Sequence, residues 1–345
     1  YRLRLVGPDR RETLTIAPVR AVAVEARERV VAELASAAFA CTAVGVAALD
    51  AIAPLLAAAA SRRRQAGAPP LAVFLCENEL ACAERVRAAL RPHLAAEGDG
   101  DLLVLIETVV HRMVPPVSAE ERAADPLLAV AEDWPTLVAD RQAGAPLPAV
   151  AGVEYVDDFR GHFERKLYVH NMAHAVVAYL GYVAGYRTID AAMGDPEIAR
   201  TARAAMAEAS EALRRKYGWS RAAIDPWVTD LERRFRNADL GDPVERVGRD
   251  PLRKLRPEDR LIGAANLCLA HGVVPQAIVR GIAAAFRFEP PEERAAAELQ
   301  AALRCDGIER FLADWCRLPP GSELARWIEA AAAEMGVGDG EAPRA

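Results

Sequence analysis

Apolar segments of strand length alternate with helical segments through the first third of this 345-residue chain. Predicted strands lie near residues 39–45, 71–78 and 102–110, and predicted helices separate them. Strands that alternate with helices pair in parallel, and the helices cover both faces of the sheet. The pattern therefore predicts a doubly wound α/β domain in the first half of the chain.

The segment before these strands is predicted to be extended. Residues 1–24 contain YRLRLVG, ETLTIAPV and AVAV, and the turn-forming GPDRRE lies at 7–12. Alternating apolar positions on both sides of a turn predict a hairpin. A helix is predicted next, over about 26–36.

From about Tyr155 onward only helical patterns remain. The predicted helices lie near 159–185, 195–218, 227–237, 256–272 and 274–288. Three more, near 291–304, 307–314 and 321–335, are predicted to be peripheral, and the tail 336–345 is predicted to be disordered. The sequence thus predicts two domains, 1–150 and 151–345, of which the second is all-helical.

The charge and hydropathy of the chain exclude several classes of partner. Lys and Arg number 43 against 49 Asp and Glu, which gives −6 spread along the chain, so nucleic acid is not an expected partner. No apolar run reaches the roughly 18 residues of a membrane span, and no segment of these residues reads as a signal peptide. Six cysteines form no CxxC pair, which predicts reduced thiols in a cytoplasmic protein.

Two predicted strand ends carry residues suited to a ligand. Thr42, Ala43, Val44 and Gly45 are small and would let a flat cofactor approach the backbone, and Cys76-Glu77-Asn78-Glu79 ends an apolar strand with polar groups. Doubly wound sheets bind ligands at the carboxyl ends of their strands. The alternative is a pair of ordinary strand-to-helix turns, with Asn78 as a helix cap.

The glycine-rich fingerprint GxGxxG of dinucleotide-binding sheets does not occur in the chain. That fingerprint belongs to a first βαβ unit of roughly 50 residues, which also carries the ribose-binding acid. We therefore expect this leading segment to be missing from the sequence.

One face of the predicted helix 159–185 gathers polar side chains. With about 100° per residue, Lys166, His170, His174 and Asn171 lie near roughly 0°, 40°, 80° and 140° around the axis. A partly buried lysine can take a hydroxyl proton, and an asparagine amide can stabilise a developing oxyanion. Only three of the 43 basic residues are lysines, which draws attention to Lys166. The alternative is a solvent-exposed stripe.

His170 and His174 also have the i,i+4 spacing of many zinc sites. No third ligand with matching spacing follows, and Lys166 on the same face would repel a cation. No metal is predicted.

A basic stretch, Arg246-Val-Gly-Arg249-Asp-Pro-Leu-Arg253-Lys254-Leu-Arg256, places five cations within eleven residues. Its glycine and proline predict a loop, and arginine with lysine suits an anion such as a phosphate. The alternative is a surface loop in which the cations form salt bridges with Asp242, Glu245 and Asp250.

These stretches together resemble the mannitol-1-phosphate 5-dehydrogenase family, within the polyol-specific long-chain dehydrogenases. ERKLYVHNMAHAVVAYLGYVAGYRTI, VERVGRDPLRKLRPEDRLI and GIAAAFRF carry the resemblance in the second half, and CTAVG, CEN and RMVPP carry it in the first. It runs from about residue 1 to 288 and is weak afterwards. It implies an α/β Rossmann-like N-terminal domain, here lacking its first βαβ unit, followed by an all-α C-terminal domain.

The resemblance also implies residue roles. Lys166 matches the general acid/base, Asn171 and Asn78 match two oxyanion-hole amides, and His174 matches a histidine that holds the substrate. The loop residues Arg246, Arg249 and Lys254 match groups that reach substrate hydroxyls and phosphate. Thr42, Ala43, Val44, Gly45 and Glu77 are the expected cofactor-binding residues. His111 stands where the family usually has an aspartate, before Arg112, and both are expected to lie near the substrate.

The implied activity is hydride transfer between NAD and C2 of the fructose 6-phosphate/mannitol 1-phosphate pair, without a metal, by a cytoplasmic monomer or weak dimer. Two alternatives remain open. One is a related dehydrogenase of an unphosphorylated polyol or a hexuronate, similar to mannitol 2-dehydrogenase. The other is a non-catalytic sugar-phosphate-binding relative that lacks the dinucleotide fingerprint.

Overall fold

The computed structural model describes residues 1–7, 10–145 and 147–337. The centre of the predicted GPDRRE turn (Pro8 and Asp9) and the predicted tail beyond Val337 lie outside these residues. The chain divides into two compact units. The first contains residues 1, 15–112 and 134–163, and the second contains 2–14, 113–133 and the residues from 164 on. Two segments from before residue 150 therefore belong to the second, mainly helical unit.

The described strands, in chain order, are β1 Arg2–Val6, β2 Arg11–Thr15, β3 Phe39–Thr42, β4 Leu71–Leu75, β5 Leu103–Val110, β6 Ala129–Glu132, β7 Leu137–Asp140 and β8 Val153–Val156. The helices of the first half are α1 Arg27–Ser36, α2 Leu49–Gln65, α3 Cys82–Leu90 and α4 Ala119–Ala124. Those of the second half begin with α5 Phe159–Arg165, α6 Met172–Val183, α7 Ile189–Gly194, α8 Pro196–Tyr217, α9 Arg221–Phe235 and α10 Val244–Gly248. They continue with α11 Pro251–Lys254, α12 Ile262–Ala270, α13 Gln276–Ala285, α14 Arg294–Asp314 and α15 Glu323–Glu334.

The first unit is built on a sheet with strand order β3-β4-β5-β7-β8. All five residues of β4 are buried, as a strand covered on both faces requires. Leu71, Val73 and Leu75 pack in one apolar cluster with residues of α2 and α3. Ala72 and Phe74 pack in a second cluster, which includes side chains between residues 143 and 155.

The prediction of a parallel sheet covered by helices on both faces is only partly right. β3, β4 and β5 are parallel, but β7 runs antiparallel to β5, and β8 is parallel to β7. The residues between 143 and 155 that pack on one face are strand and loop. Two parallel neighbours in a sheet need a crossover connection, which is usually a helix packed on the sheet. The described residues that pack on the face of Ala72 and Phe74 include no such helix between β5 and β7.

The second unit contains a small sheet of order β2-β1-β6, in which β1 and β6 are parallel. Gly7 and Arg10 exchange two backbone hydrogen bonds between β1 and β2, so the predicted hairpin is confirmed. The AVAV segment at 21–24 forms neither helix nor strand, because it lacks a paired neighbour.

The helix α6 runs through the core of this unit, and nine of its twelve residues are buried. It packs against α8, α10 and α13. At the contact with α13 there is no room for a side chain, because a Cβ at Gly281 would lie 2.4 Å from Val176 Cγ2.

The long helix α8 begins and ends as the sequence predicts. The Asp195 carboxylate accepts hydrogen bonds from the Glu197 and Ile198 amides, and Gly218 ends the helix with φ +70°. The prediction that the last helices are peripheral is wrong. Phe311, Leu324 and Ile328 are buried in the same core as α6. In the part of the chain that the structure describes, no helix is both long and apolar enough to cross a membrane.

A buried ion pair joins β6 to α9 inside the second unit. Arg234 Nε and Nη2 donate to the two Glu132 carboxylate oxygens at 2.5 and 2.7 Å, and both side chains are 2% exposed. The same carboxylate accepts a hydrogen bond from the Met113 amide. Removing one partner would leave an uncompensated charge in the core.

We predict that Arg234→Met lowers the free energy of unfolding by about 3–5 kcal/mol. The matched control is Arg200→Met, which breaks an exposed pair with Glu197 (65% and 64% exposed) and should leave the free energy of unfolding nearly unchanged. Urea unfolding followed by circular dichroism measures both. Similar losses in the two variants would contradict a special role for the buried pair.

Candidate active site

The predicted helix 159–185 contains a π-helical turn. Residues Lys166–Asn171 form this turn between α5 and α6, so the prediction of one regular α-helix is wrong at its centre. Its hydrogen bonds join residues five apart instead of four, which widens the turn. Asn171 is therefore closer to Lys166 around the helix axis than the roughly 140° of an α-helix. π-turns of this kind occur frequently at functional sites.

Lys166 is partly buried at the start of this turn. Burial, together with the positive charges of Arg260 and Arg253, lowers the pKa of its ammonium to about 7, although Asp259 raises it. The amine is thus neutral above about pH 7 and protonated below it. A group that exchanges its proton near neutral pH suits general acid/base chemistry.

Asn171 ends the π-turn and is 8% exposed. Its side-chain nitrogen Nδ2 is buried and has no hydrogen-bond partner among the described residues. Leaving a buried amide donor without a partner is costly, so Nδ2 requires an acceptor that the described residues do not supply.

His174 follows on α6 and is held by its neighbours. Its ring stacks on Phe235 with centroids 4.8 Å apart, and its Nε2 lies 3.5 Å from Asp242 Oδ2. Burial lowers the pKa of His174 to about 4, although Asp242 raises it, so the ring is neutral at pH 7. A neutral imidazole offers one donor and one acceptor.

The predicted i,i+4 histidine pair lies on one side of the helix, with ring centroids of His170 and His174 6.0 Å apart. His170 is buried and packs against Phe235 and Trp227. Within the described ranges, no group of three or more His, Cys, Asp or Glu side chains is arranged to hold a metal ion.

The basic loop lines a cavity of about 520 Å³ in the second unit. Its basic side chains are Arg246, Arg249, Arg253, Lys254 and Arg260, and the His174 ring and the carboxylates Asp250 and Glu293 also line it. The Tyr179 hydroxyl of α6 donates to the Gly248 carbonyl at 2.9 Å, and a Cβ at Gly248 would clash with Phe288 at 2.5 Å. The loop is thus fixed against the core. The volume is sufficient for a small polyol phosphate.

Two arginines of the loop, and Arg260 just beyond it, already have carboxylate partners, as the salt-bridge alternative predicts for the loop. Arg246 pairs with Asp242. Arg253 pairs with both Asp250 and Asp259, and Arg260 pairs with Asp259. Arg256 does not line the cavity and lies over the Trp315 ring instead.

Arg249 and Lys254 differ from these. Among the described residues, neither has a carboxylate oxygen within 4.0 Å, although Lys254 is only 3% exposed. Burial and then the charges of Arg260 and Arg253 hold the pKa of Lys254 well below its ordinary value. An anion in the cavity would favour the charged ammonium again. These two side chains are therefore cations of the cavity wall without a carboxylate partner among the described residues.

In the first unit, one carboxylate ties two strand ends together. Glu77 Oε2 accepts from the Thr42 hydroxyl at 2.5 Å, and Glu77 Oε1 accepts from the Val44 amide at 3.0 Å. β3 ends at Thr42 and β4 at Leu75, both earlier than predicted, so Glu77 lies in the loop after β4. The structure thus brings the predicted cofactor residues together at the carboxyl end of the sheet.

The exposed residues at this edge are small. Ala43, Val44 and Gly45 are exposed, and nothing lies within 4 Å of a Cβ placed on Gly45. Gly45 adopts φ +83°, which favours glycine. Accessible backbone beside a buried carboxylate fits a dinucleotide at the end of parallel strands.

The remaining predicted residues of the first unit have different surroundings. Asn78 is exposed in the loop after Glu77. His111 is 3% exposed, with its ring 5.8 Å from that of Trp134. The Arg112 guanidinium donates two hydrogen bonds to the Trp134 carbonyl, at 3.0 and 2.5 Å. Contacts of His111 and Arg112 with a substrate stay a prediction.

The sequence predicts Asp242 only as a salt-bridge partner of the loop, and the structure adds its contact with His174. Two other residues that shape the site were not predicted. Asp259 and Arg260 influence both Lys166 and Lys254. No motif marked them, because their proximity depends on how the loop after α11 folds back.

Models of the mannitol dehydrogenase family match nearly the whole chain. The mannitol dehydrogenase Rossmann domain matches residues 2–151, and the mannitol dehydrogenase C-terminal domain matches residues 158–310. Two solved structures have a similar fold. A Pseudomonas fluorescens mannitol 2-dehydrogenase in ternary complex with NAD and D-mannitol has a TM-score of 0.78 and 21% identity, covering 97% of this chain and 80% of that one. A D-sorbitol dehydrogenase in substrate-free form has a TM-score of 0.71 and 19% identity, covering 98% and 83%.

Two curated relatives are more similar in sequence. The mannitol-1-phosphate 5-dehydrogenase of Brevibacillus brevis is 35% identical over 328 residues, which cover 94% of this chain and 84% of the relative. The mannitol-1-phosphate 5-dehydrogenase of an Arthrobacter species is 36% identical over 313 residues, covering 89% and 79%. At this identity and coverage the predicted resemblance is confirmed, and the chain belongs to the mannitol-1-phosphate 5-dehydrogenase family.

Proposed function

We propose that this protein interconverts mannitol 1-phosphate and fructose 6-phosphate, with NAD as the cofactor. The observation that carries this proposal is the wall of the 520 Å³ cavity. There Arg249 and Lys254, which have no carboxylate partner among the described residues, line the cavity with a neutral His174 and with arginines that lower the pKa of Lys166. A polyol phosphate requires cations for its phosphate and neutral groups for its hydroxyls, and oxidation of an alcohol requires a base.

The proton has a defined acceptor in this proposal. Neutral Lys166 takes the proton from the substrate hydroxyl during oxidation, and its ammonium returns it to the carbonyl oxygen during reduction. The Asn171 amide donates to the same oxygen while negative charge develops on it. The family resemblance also implies the Asn78 amide as a second donor, and this role stays a prediction.

NAD, when bound, supplies the hydride acceptor at the edge formed by Thr42, Val44 and Gly45. Glu77 holds this edge in place through its two hydrogen bonds. Arg249 and Lys254 bind the phosphate, and His174 binds a hydroxyl. A monomer or weak dimer in the cytoplasm stays a prediction.

A mannitol 2-dehydrogenase-like activity on unphosphorylated sugars is the second candidate, because a solved structure of similar fold is such an enzyme. Comparing kcat/KM for fructose 6-phosphate and fructose separates the two. A preference for fructose would contradict the phosphate-specific activity. Binding of fructose 6-phosphate without turnover in the presence of NADH would favour a non-catalytic relative.

We predict that Lys166→Met lowers kcat by roughly 10²–10⁴-fold, because no group remains to exchange the hydroxyl proton. Binding of fructose 6-phosphate should persist. Lys216→Arg is the control, since it keeps a cation beside the buried Glu164 carboxylate and should leave kcat within about twofold. Steady-state kinetics with calorimetric binding tests this, and retained turnover in Lys166→Met would exclude the acid/base role.

The pH profile of mannitol 1-phosphate oxidation should have its acidic limb set by Lys166. Because burial lowers its pKa to about 7, kcat/KM should rise as pH increases through about 7 and then level off. The sign follows from the need for a neutral amine in the oxidation direction. An apparent pKa near the ordinary lysine value of roughly 10.4 would contradict this assignment.

We predict that Arg249→Ala lowers kcat/KM for fructose 6-phosphate by roughly 10- to 150-fold, since a charged hydrogen bond contributes about 1.5–3 kcal/mol. The value for fructose should hardly change. Arg256→Ala removes an arginine from the same loop that does not line the cavity, and should affect neither sugar. Equal losses for both sugars in Arg249→Ala would mean that this arginine does not select the phosphate.

For the cofactor edge, we predict that Gly45→Ala raises the Kd for NAD about tenfold, because a Cβ strains the backbone at φ +83° and shifts the loop. Gly67→Ala is the control, since Gly67 also has positive φ and open space around it, at the end of α2. Fluorescence titration with NADH should separate the two. Unchanged binding in Gly45→Ala would remove this edge from the proposed cofactor site.

A further inference from the structure

A single carboxylate contacts two of the predicted substrate residues. Asp242 is 4% exposed and precedes α10. Its Oδ1 accepts from Arg246 Nε at 2.6 Å, and its Oδ2 accepts from Arg246 Nη2 at 2.5 Å. The same Oδ2 lies 3.5 Å from Nε2 of His174 on α6. The Asp242 backbone carbonyl accepts from the Ile189 amide, which fixes the residue from a third element.

The neutral ring of His174 can carry its proton on Nε2 or on Nδ1. The stack on Phe235, with an interplanar angle of 14°, fixes the plane of the ring. Nε2 is buried and makes no hydrogen bond to a described residue, and the Asp242 carboxylate lies 3.5 Å from it, the charged group towards which it faces. An ionised carboxylate only accepts, so the neutral ring that best fits this position carries its proton on Nε2.

We propose that Asp242 is a positioning residue that selects the Nε2–H form of His174 and holds Arg246 at the cavity wall. His174 then presents Nδ1 as a hydrogen-bond acceptor to a substrate hydroxyl. This inference rests on the proposed function and deepens it, because it assigns recognition of hydroxyl groups and of the phosphate to different side chains.

Hydroxyl groups and phosphates need different hydrogen-bond partners, which is why different side chains recognise them. A hydroxyl donates a hydrogen bond and can bind the lone pair on Nδ1, whereas a phosphate at pH 7 needs donors and would be repelled by that lone pair. Phosphate recognition is therefore left to Arg249 and Lys254. Four charged groups act on the pKa of His174. The Asp242 carboxylate raises it, and the guanidinium groups of Arg246, Arg260 and Arg234 lower it. Each of the three arginines is a donor that cannot accept a proton from the ring.

Long-range ¹H–¹⁵N spectra of the histidine side chains test the assignment in the full chain without any substrate. The chain has six histidines, and a His174→Gln sample identifies the signal of interest. At pH 7.5 we expect His174 to be neutral with the proton on Nε2. A proton on Nδ1, or a charged ring, would overturn the proposal even if no variant could be prepared.

Asp242→Asn tests the role of the carboxylate, because the amide can donate as well as accept. We expect a mixture of the two neutral forms of His174. We also expect kcat/KM for fructose 6-phosphate to fall about 10- to 100-fold, as for other residues that orient a binding side chain. The loss should appear mainly in KM. Asp239→Asn, an exposed aspartate three residues away, is the matched control and should change neither readout.

The outcomes distinguish this inference from the proposed function. If the wild-type protein does not act on fructose 6-phosphate, the proposed function fails while the spectra still report on Asp242. If the wild-type protein is active but Asp242→Asn leaves the His174 signal and KM unchanged, the positioning role is wrong. A loss of kcat alone, with KM and the His174 form unchanged, would also contradict it.

Discussion

The surroundings of Lys166 destabilise its charged form and so lower the pKa of its ammonium group. Lys166 is partly buried, and Arg253 and Arg260 add positive charge nearby, so its pKa falls to about 7. Asp259 neutralises part of that charge by pairing with both arginines. Without this carboxylate the arginines would be costly to bury, and with more carboxylates Lys166 would keep its proton at neutral pH. The balance of charges around Lys166 thus sets the pH at which its amine gains or loses a proton.

The fold holds these charges where a substrate can reach them. α6 is buried on nearly all sides, so the side chains at its start are fixed by close packing, and Tyr179 of the same helix binds the backbone of the basic loop. Asp242, Asp250 and Asp259 pair with Arg246, Arg253 and Arg260, whereas Arg249 and Lys254 have no carboxylate partner among the described residues. In the proposed function, these two cations bind the phosphate.

Much of this could be predicted from the sequence, because the decisive signals are local. The limits of α8 follow from Asp195 and Gly218, and the break in the last long helix follows from Gly307, which has φ +78°. The basic loop was identified from its composition. The polar face of the helix around Lys166 was predicted from its spacing.

The remainder depends on contacts between distant segments. The π-turn at Lys166–Asn171 changes the register of the helix by packing, and no residue in it marks the change. The antiparallel β7 reflects the path of the chain after β5, which periodicity does not report. The pairing of Glu77 with Thr42, and of Asp242 with His174, required the strands and helices to be in place first.

The most direct measurement of the central claim is the titration of Lys166 itself. The chain has only three lysines, so ¹³C-lysine labelling gives three side-chain signals, and a Lys166→Met sample identifies the relevant one. The account predicts that the Cε signal of Lys166 titrates near pH 7 in the free protein. A titration near the ordinary lysine value of roughly 10.4 would show that the amine stays charged at neutral pH and would contradict the account.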